Sequence, residues 1–112
     1  MKWIEGRQGS GYEKMKIFIS DLLKCDMYLL RFKEGSYIDT HTDPVKEGWN
    51  HYRINIVLQD AIEGGEFVCE NAIFRSSFIN FFRPDIHEHA VTRIDSGVRY
   101  VLSFGWIKRK KV

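Results

Sequence analysis

From Tyr28 onward the chain alternates short runs rich in β-branched and aromatic residues with segments of turn chemistry. No other feature of the sequence constrains its fold as strongly. The runs cover residues 28–33, 37–41, 52–59, 65–69, 77–82, 87–94 and 99–107. Between them lie Lys33-Glu34-Gly35-Ser36, Asp43-Pro44 followed by Lys46-Glu47-Gly48, Glu63-Gly64-Gly65, Arg83-Pro84-Asp85 and Asp95-Ser96-Gly97. Short strands spaced this regularly shelter their edges by folding two sheets against each other, which predicts a mainly β jelly roll. Ahead of them, Met15, Ile17, Phe18, Leu22 and Leu23 recur at roughly helical spacing after the flexible Gly9-Ser10-Gly11. The reading is therefore one N-terminal helix over about 12–24 and a barrel over about 28–107. At 112 residues and 44% hydrophobic content the chain suits a single domain, 1–112, with one packed core.

Charge and cysteine usage exclude several classes of function. Lys and Arg total 17 against 15 Asp and Glu, so overall charge gives no reason to expect a nucleic-acid partner. The terminal Lys108-Arg109-Lys110-Lys111 is a local exception, of the kind that usually keeps a chain end solvated. Cys25 and Cys69 fall in neither a CxxC nor a zinc-finger spacing, which argues against a disulfide framework and a structural zinc site. With no signal-peptide core and no span-length apolar stretch, a soluble, cytoplasmic protein without membrane association is expected.

The chemistry-bearing constellation begins at Thr40-His41-Thr42-Asp43. In an extended segment residues two apart share a side, so the imidazole of His41 and the carboxylate of Asp43 converge on one ion. Taken alone, the same tripeptide also reads as a turn in which Asp43 caps the backbone before Pro44. A third donor comes from a later strand, where His87 and His89 share a face and either could serve. Two imidazoles and one carboxylate on one face of an octahedral ion leave the opposite face open, the arrangement of non-haem iron(II) sites. Arg99 opens the last strand in an apolar setting, where a guanidinium either pairs with an anion or bends its head into solvent. Ser103, four residues on and on the same strand face, adds a hydroxyl beside it. His51 has no such partner and reads as structural or exposed.

Together these residues resemble the 2-oxoglutarate- and Fe(II)-dependent oxygenases, in particular the prolyl-hydroxylase-like branch. The resemblance runs through Phe32, Gly35, His41-Thr42-Asp43, the 52–60 strand, Gly64-Gly65-Glu66-Phe67, Phe81-Phe82, His89-Ala90-Val91, Gly97 and Arg99. It implies a double-stranded β-helix of cupin-like form, with iron(II) on His41, Asp43 and His89. It also implies that Arg99, with Ser103, holds the distal carboxylate of 2-oxoglutarate, and that Asn55 or Arg53 contacts this cosubstrate. His89 is preferred to His87 because Arg99 follows it by ten residues. The implied activity is hydroxylation of an unactivated C–H bond, consuming O2 and releasing succinate and CO2.

Phe32 stands where the branch commonly carries a cosubstrate-binding tyrosine, which leaves Tyr28, Asn55 or Arg53 to meet the proximal carboxylate. Oxidative nucleic-acid demethylases carry further arginines in the last strand; here Arg99 is followed only by apolar, aromatic, Ser and Gly residues until Lys108. The expected substrate is a protein side chain or small metabolite, with 43–50 as a lid and Trp49 as a stacking or packing residue. A non-catalytic metal-binding jelly roll, or a cupin-type metalloenzyme that does not use 2-oxoglutarate, is the rival reading. Oligomeric state is open.

Overall fold

The computed structural model describes residues 2–6 and 9–111, and among them the chain is all β. The strands are β1 (Trp3–Glu5), β2 (Glu13–Ser20), β3 (Cys25–Phe32), β4 (Ile38–His41), β5 (Trp49–Gln59) and β6 (Glu63–Gly64). They continue with β7 (Phe67–Val68), β8 (Phe74–Arg75), β9 (Ile79–Phe82), β10 (His89–Val91), β11 (Ile94–Ser96) and β12 (Arg99–Arg109). A seven-stranded sheet, ordered β1-β2-β3-β12-β5-β9-β8, faces a three-stranded sheet, β4-β10-β7, and a pair, β11-β6. Every pairing is antiparallel, as a jelly roll requires.

The N-terminal helix expected over 12–24 is not formed: β2 occupies most of that stretch, hydrogen-bonded to β1 on one side and β3 on the other. The reason lies in the bulge between Lys16 and Phe18. A bulge inserts one extra residue and reverses the side-chain phase. Met15, opposite Leu29, and Phe18, opposite Met27, therefore come to the same face although three residues apart. That spacing imitates a helix. Leu22 and Leu23, the other half of the apparent stripe, sit in the β2–β3 turn, 91% and 71% exposed. The turn closes at Lys24 with φ of 57°, where a helix would need a negative value.

The 87–94 run likewise becomes a strand only from its third residue, His89, and divides into β10 and the start of β11. The core lies between the sheets, where Tyr12, Phe32, Val91, Ile94 and Val101 are buried together, with Leu30, Ile38, Val57 and Phe67 packed around them. Strand β12 positions the site. Wedged between β3 and β5, it turns Arg99, Val101, Ser103 and Gly105 to the buried interior and Tyr100, Leu102, Phe104 and Trp106 to the half-buried outer face.

Candidate metal centre

His41 ends β4 and His89 opens β10, and the two are direct cross-strand partners. Adjacent strands place opposed side chains about 5 Å apart, and the two imidazole centroids lie 4.3 Å apart. Asp43 reaches the same point from beyond the strand, because its N–H donates to the carbonyl of the buried Pro84 at 2.6 Å and folds the loop back. Its carboxylate lies between the rings, Oδ1 3.4 Å from His41 Nε2 and Oδ2 3.2 Å from His89 Nε2. Two metal–ligand bonds of about 2.1 Å at a right angle put their donor atoms about 3 Å apart. The three groups therefore already stand close to the spacing of one coordination face.

Each histidine is also oriented. Nδ1 of His41 lies 2.7 Å from the Asp39 carbonyl, and Nδ1 of His89 lies 2.9 Å from the His87 carbonyl. A carbonyl only accepts, so Nδ1 is the protonated nitrogen, which leaves Nε2, turned to the cluster, as the atom that would bind a metal. The site is graded from dry to open, with His89 at 8% exposure on the inside and the Asp43 side chain at 46% on the outside. His87 is engaged elsewhere: its Nδ1 accepts from the Arg83 N–H at 3.0 Å and its own N–H donates to the Arg83 carbonyl at 2.7 Å. It belongs to a turn, not to a strand, so it does not share a face with His89. Of the two candidates for third donor, the fold brings His89 to the cluster.

The cluster opens onto a cavity of about 310 Å³ that also reaches Arg99, Ser103, Asn55, Arg53 and Tyr28. Arg99, only 5% exposed, donates through Nη1 to the Gly65 carbonyl at 2.6 Å and to Asp60 Oδ1 at 3.2 Å. Its Nε is buried with no partner. Burial lowers the guanidinium pKa, and the charge and hydrogen bond of Asp60 work against that. Gly65, at φ of 72°, carries the accepting carbonyl through a left-handed turn. A Cβ there would meet Ile94 Cδ1 at 2.2 Å.

The other expected cosubstrate contacts form a network of their own. Arg53 donates through Nη1 to Ser103 Oγ at 2.8 Å and through Nη2 to Asp26 Oδ1 at 2.7 Å, while Ser103 donates to Asn55 Oδ1 at 2.6 Å. Ser103 thus bonds Arg53 and Asn55, not Arg99, although all four line one cavity. Phe32 is buried and stacks on Tyr12 with centroids 5.1 Å apart, and both rings line the cavity with Tyr28. Sequence reading missed Tyr12, Asp60, Asp26 and His51 as parts of this site. His51 lines the cavity with Nδ1 buried and unpartnered, and burial, joined by Arg53, lowers its pKa against the pull of Asp26, Asp85 and Asp43. Its place was readable from alternation along β5, since His51, Arg53 and Asn55 share a phase. Asp60 and Asp26 carried no local signal; only the sheet register brings them to their arginines.

No protein-family model matches the chain. No curated protein sequence matches it. Among solved structures it is similar to KdgF from Halomonas sp. (TM-score 0.61, 16% identity), covering 94% of this chain and 87% of that one. It is also similar to a 2OG-Fe(II) oxygenase-family oxidoreductase from Burkholderia pseudomallei (TM-score 0.58, 20% identity, 88% of this chain and 45% of that one). A third similarity is to the viral collagen prolyl hydroxylase of Paramecium bursaria Chlorella virus-1, in its 2OG complex (TM-score 0.56, 20% identity, 89% and 62%). The chain spans about half the length of some of these matches, 48% for the Rhodobacter sphaeroides SigE–ChrR structure. At such identities the likeness establishes the cupin-like jelly-roll fold. The same fold serves oxygenases and other proteins, so the site must carry any functional argument.

Proposed function

We propose that this chain is an iron(II)- and 2-oxoglutarate-dependent oxygenase that hydroxylates an unactivated C–H bond. One observation carries the reading: a single cavity joins the His41, Asp43 and His89 donors to a buried Arg99 whose Nε has no partner. The donor set fits a hard or borderline divalent ion with open positions, because it holds two imidazoles and one carboxylate within 4.8 Å and no thiolate. When bound, iron(II) with 2-oxoglutarate and O2 supplies the oxidising power, with succinate and CO2 as coproducts. The chain supplies the rest. His41 and His89 present Nε2, Asp43 supplies negative charge on the exposed side, and the fork of Arg99 matches a distal carboxylate. Phe67, Phe82, Val91 and Val101 line the cavity and keep water from it. The proximal carboxylate falls to Tyr28 or to the Arg53–Asn55 network, since Phe32 offers no hydroxyl.

A second reading, a metal-binding jelly roll or cupin-type metalloenzyme without 2-oxoglutarate, draws on one fact: Arg99 Nη1 already has Asp60 and the Gly65 carbonyl as acceptors. Oxygen uptake separates the two. Iron(II)-loaded protein given 2-oxoglutarate alone is expected to show slow uncoupled O2 consumption with equimolar succinate, lost in Asp43→Ala. Iron-bound protein that consumes no O2 and forms no succinate would favour the second reading.

A further inference from the structure

The near-neutral total charge conceals a cationic cluster at one end of the seven-stranded sheet. Lys24 Nζ, Lys46 Nζ and the Arg109 guanidinium lie 5.9, 5.0 and 5.7 Å from the centroid of the Trp49 ring. Any two of these heads are therefore within about 12 Å, or about one and a half Debye lengths at physiological salt. Among the described residues none of the three forms an ion pair or donates a side-chain hydrogen bond, so their N–H donors are unspent. The backbone fixes the arrangement: Arg109 is the cross-strand partner of Trp49, Ile107 N–H donates to the Lys24 carbonyl, and Lys110 N–H donates to the Gly48 carbonyl. Lys108, Lys110 and Lys111 extend the same positive end, against which the adjoining turn and loop set Asp21, Asp43 and Glu47. The indole face offsets part of the mutual repulsion by attracting each cation, without neutralising any of them.

The cluster adjoins the candidate site. Trp49 is in phase along β5 with His51 and Arg53, which line the cavity, and strand rise puts it about 7 Å beyond His51. Lys46 and Trp49 lie on the loop and strand that follow Asp43.

We propose that Lys24, Lys46, Arg109 and Trp49 form a rim subsite for the phosphates and an adjoining base of a nucleotide or single-stranded nucleic acid, which makes a nucleotide unit the substrate class. Unpaired cations gathered around an aromatic ring suit a strand that brings one negative charge and one planar group per unit. An extended acidic peptide suits them less, since its side chains alternate in direction and it offers no plane to the indole. The role as a substrate subsite rests on the oxygenase reading, whereas the binding itself does not.

The test uses the metal-free 112-residue chain in EDTA, so a failure of metal or cosubstrate binding leaves it untouched. Fluorescence anisotropy of a fluorescein-labelled 15-mer of oligothymidylate is expected to show binding with a log K against log salt slope of about −2, the value for three contacts on a single strand. Lys24→Ala/Lys46→Ala/Arg109→Ala is expected to weaken it at least tenfold and flatten the slope. Lys24→Arg/Lys46→Arg is expected to keep it, as is Lys16→Ala/Arg75→Ala/Arg93→Ala, which removes the same three charges elsewhere on the surface. Trp49→Leu is expected to weaken binding several-fold with the slope unchanged. Thymidine monophosphate competing at millimolar concentration would identify a free nucleotide as the source, and competition by unlabelled oligomer alone would identify a strand. Binding unchanged in the triple variant, or a polyglutamate 15-mer displacing the probe as well as the oligomer does, would overturn the proposal. Loss of thermal stability in the triple variant is checked first by circular dichroism, and Arg109→Ala alone, at about threefold weaker, stands in if it fails to fold.

Discussion

Substituting Gly105 by alanine tests how the pocket wall is built. Gly105 faces the interior on β12 directly opposite Arg53, and a Cβ there would stand 2.2 Å from Arg53 Nη2 and 2.4 Å from Cζ. An ordinary contact begins near 3.4 Å, so the guanidinium must retreat by about 1.2 Å. That displacement stretches the 2.7 Å contact to Asp26 beyond hydrogen-bonding range and strains the 2.8 Å bond to Ser103. Both arginine and aspartate are mostly shielded, at 14% and 28% side-chain exposure. Two hydrogen bonds to a charged group contribute about 1.5–3 kcal/mol each at full strength. Partial exposure and relaxation bring the expected loss to about 2–3 kcal/mol, or a fall in Tm of roughly 8–12 °C for a domain of this size. Calorimetry or urea unfolding reads it directly. In an Arg53→Ala background the obstruction is gone, so adding Gly105→Ala is expected to change stability by less than about 0.5 kcal/mol. Gly105→Ala matching the parent protein, or adding its full cost to that of Arg53→Ala, would refute the packing argument.

Replacing His89 by alanine is expected to abolish stoichiometric iron(II) or manganese(II) binding in isothermal titration, whereas His87→Ala retains it within a few-fold, because His87 serves the Arg83 turn. Arg99→Lys keeps the charge but loses the fork, and its 2-oxoglutarate affinity is expected to fall by about ten- to a hundredfold, a cost of about 1.4–3 kcal/mol. The His51 pKa is lowered by burial and by Arg53, so the contribution of this residue is complete above the ordinary unfolded value of about 6.5. It is lost as pH falls below that value toward the folded one. Tm is therefore expected to decline from pH 6.5 toward 5, and more shallowly in His51→Asn; parallel profiles would contradict the assignment.

The strands after Tyr28 were legible because most keep an unbroken period of two, with one phase apolar and the turns marked by glycine and proline. β2 was not, because a single bulged residue turned a strand's alternation into a helix-like spacing, and local propensity had no means of seeing β3 beside it. The metal cluster was legible for a simple geometric reason: His41 and Asp43 are neighbours, and His89 occurs in a later strand that pairs with β4. Choosing between His87 and His89 required the turn that removes His87 from the strand. The sequence left Arg99 between an anion-paired interior position and one bent into solvent; its burial, its partner Asp60 and the diversion of Ser103 to Arg53 and Asn55 depend on cross-strand register. The charge total averages over an end of the sheet where three cations share one indole, a grouping that only the pairing of β5 with β12 and the adjoining turns bring about.

On the proposed function, one cavity holds both metal and oxo acid. Anaerobic titration of iron(II)-loaded protein with 2-oxoglutarate, followed by the weak visible charge-transfer band of the chelate, tests it most directly. A saturable band, much weakened at equal cosubstrate concentration in Arg99→Ala, is expected. Bound iron(II) with no band at saturating 2-oxoglutarate, or a band indifferent to Arg99, would contradict it.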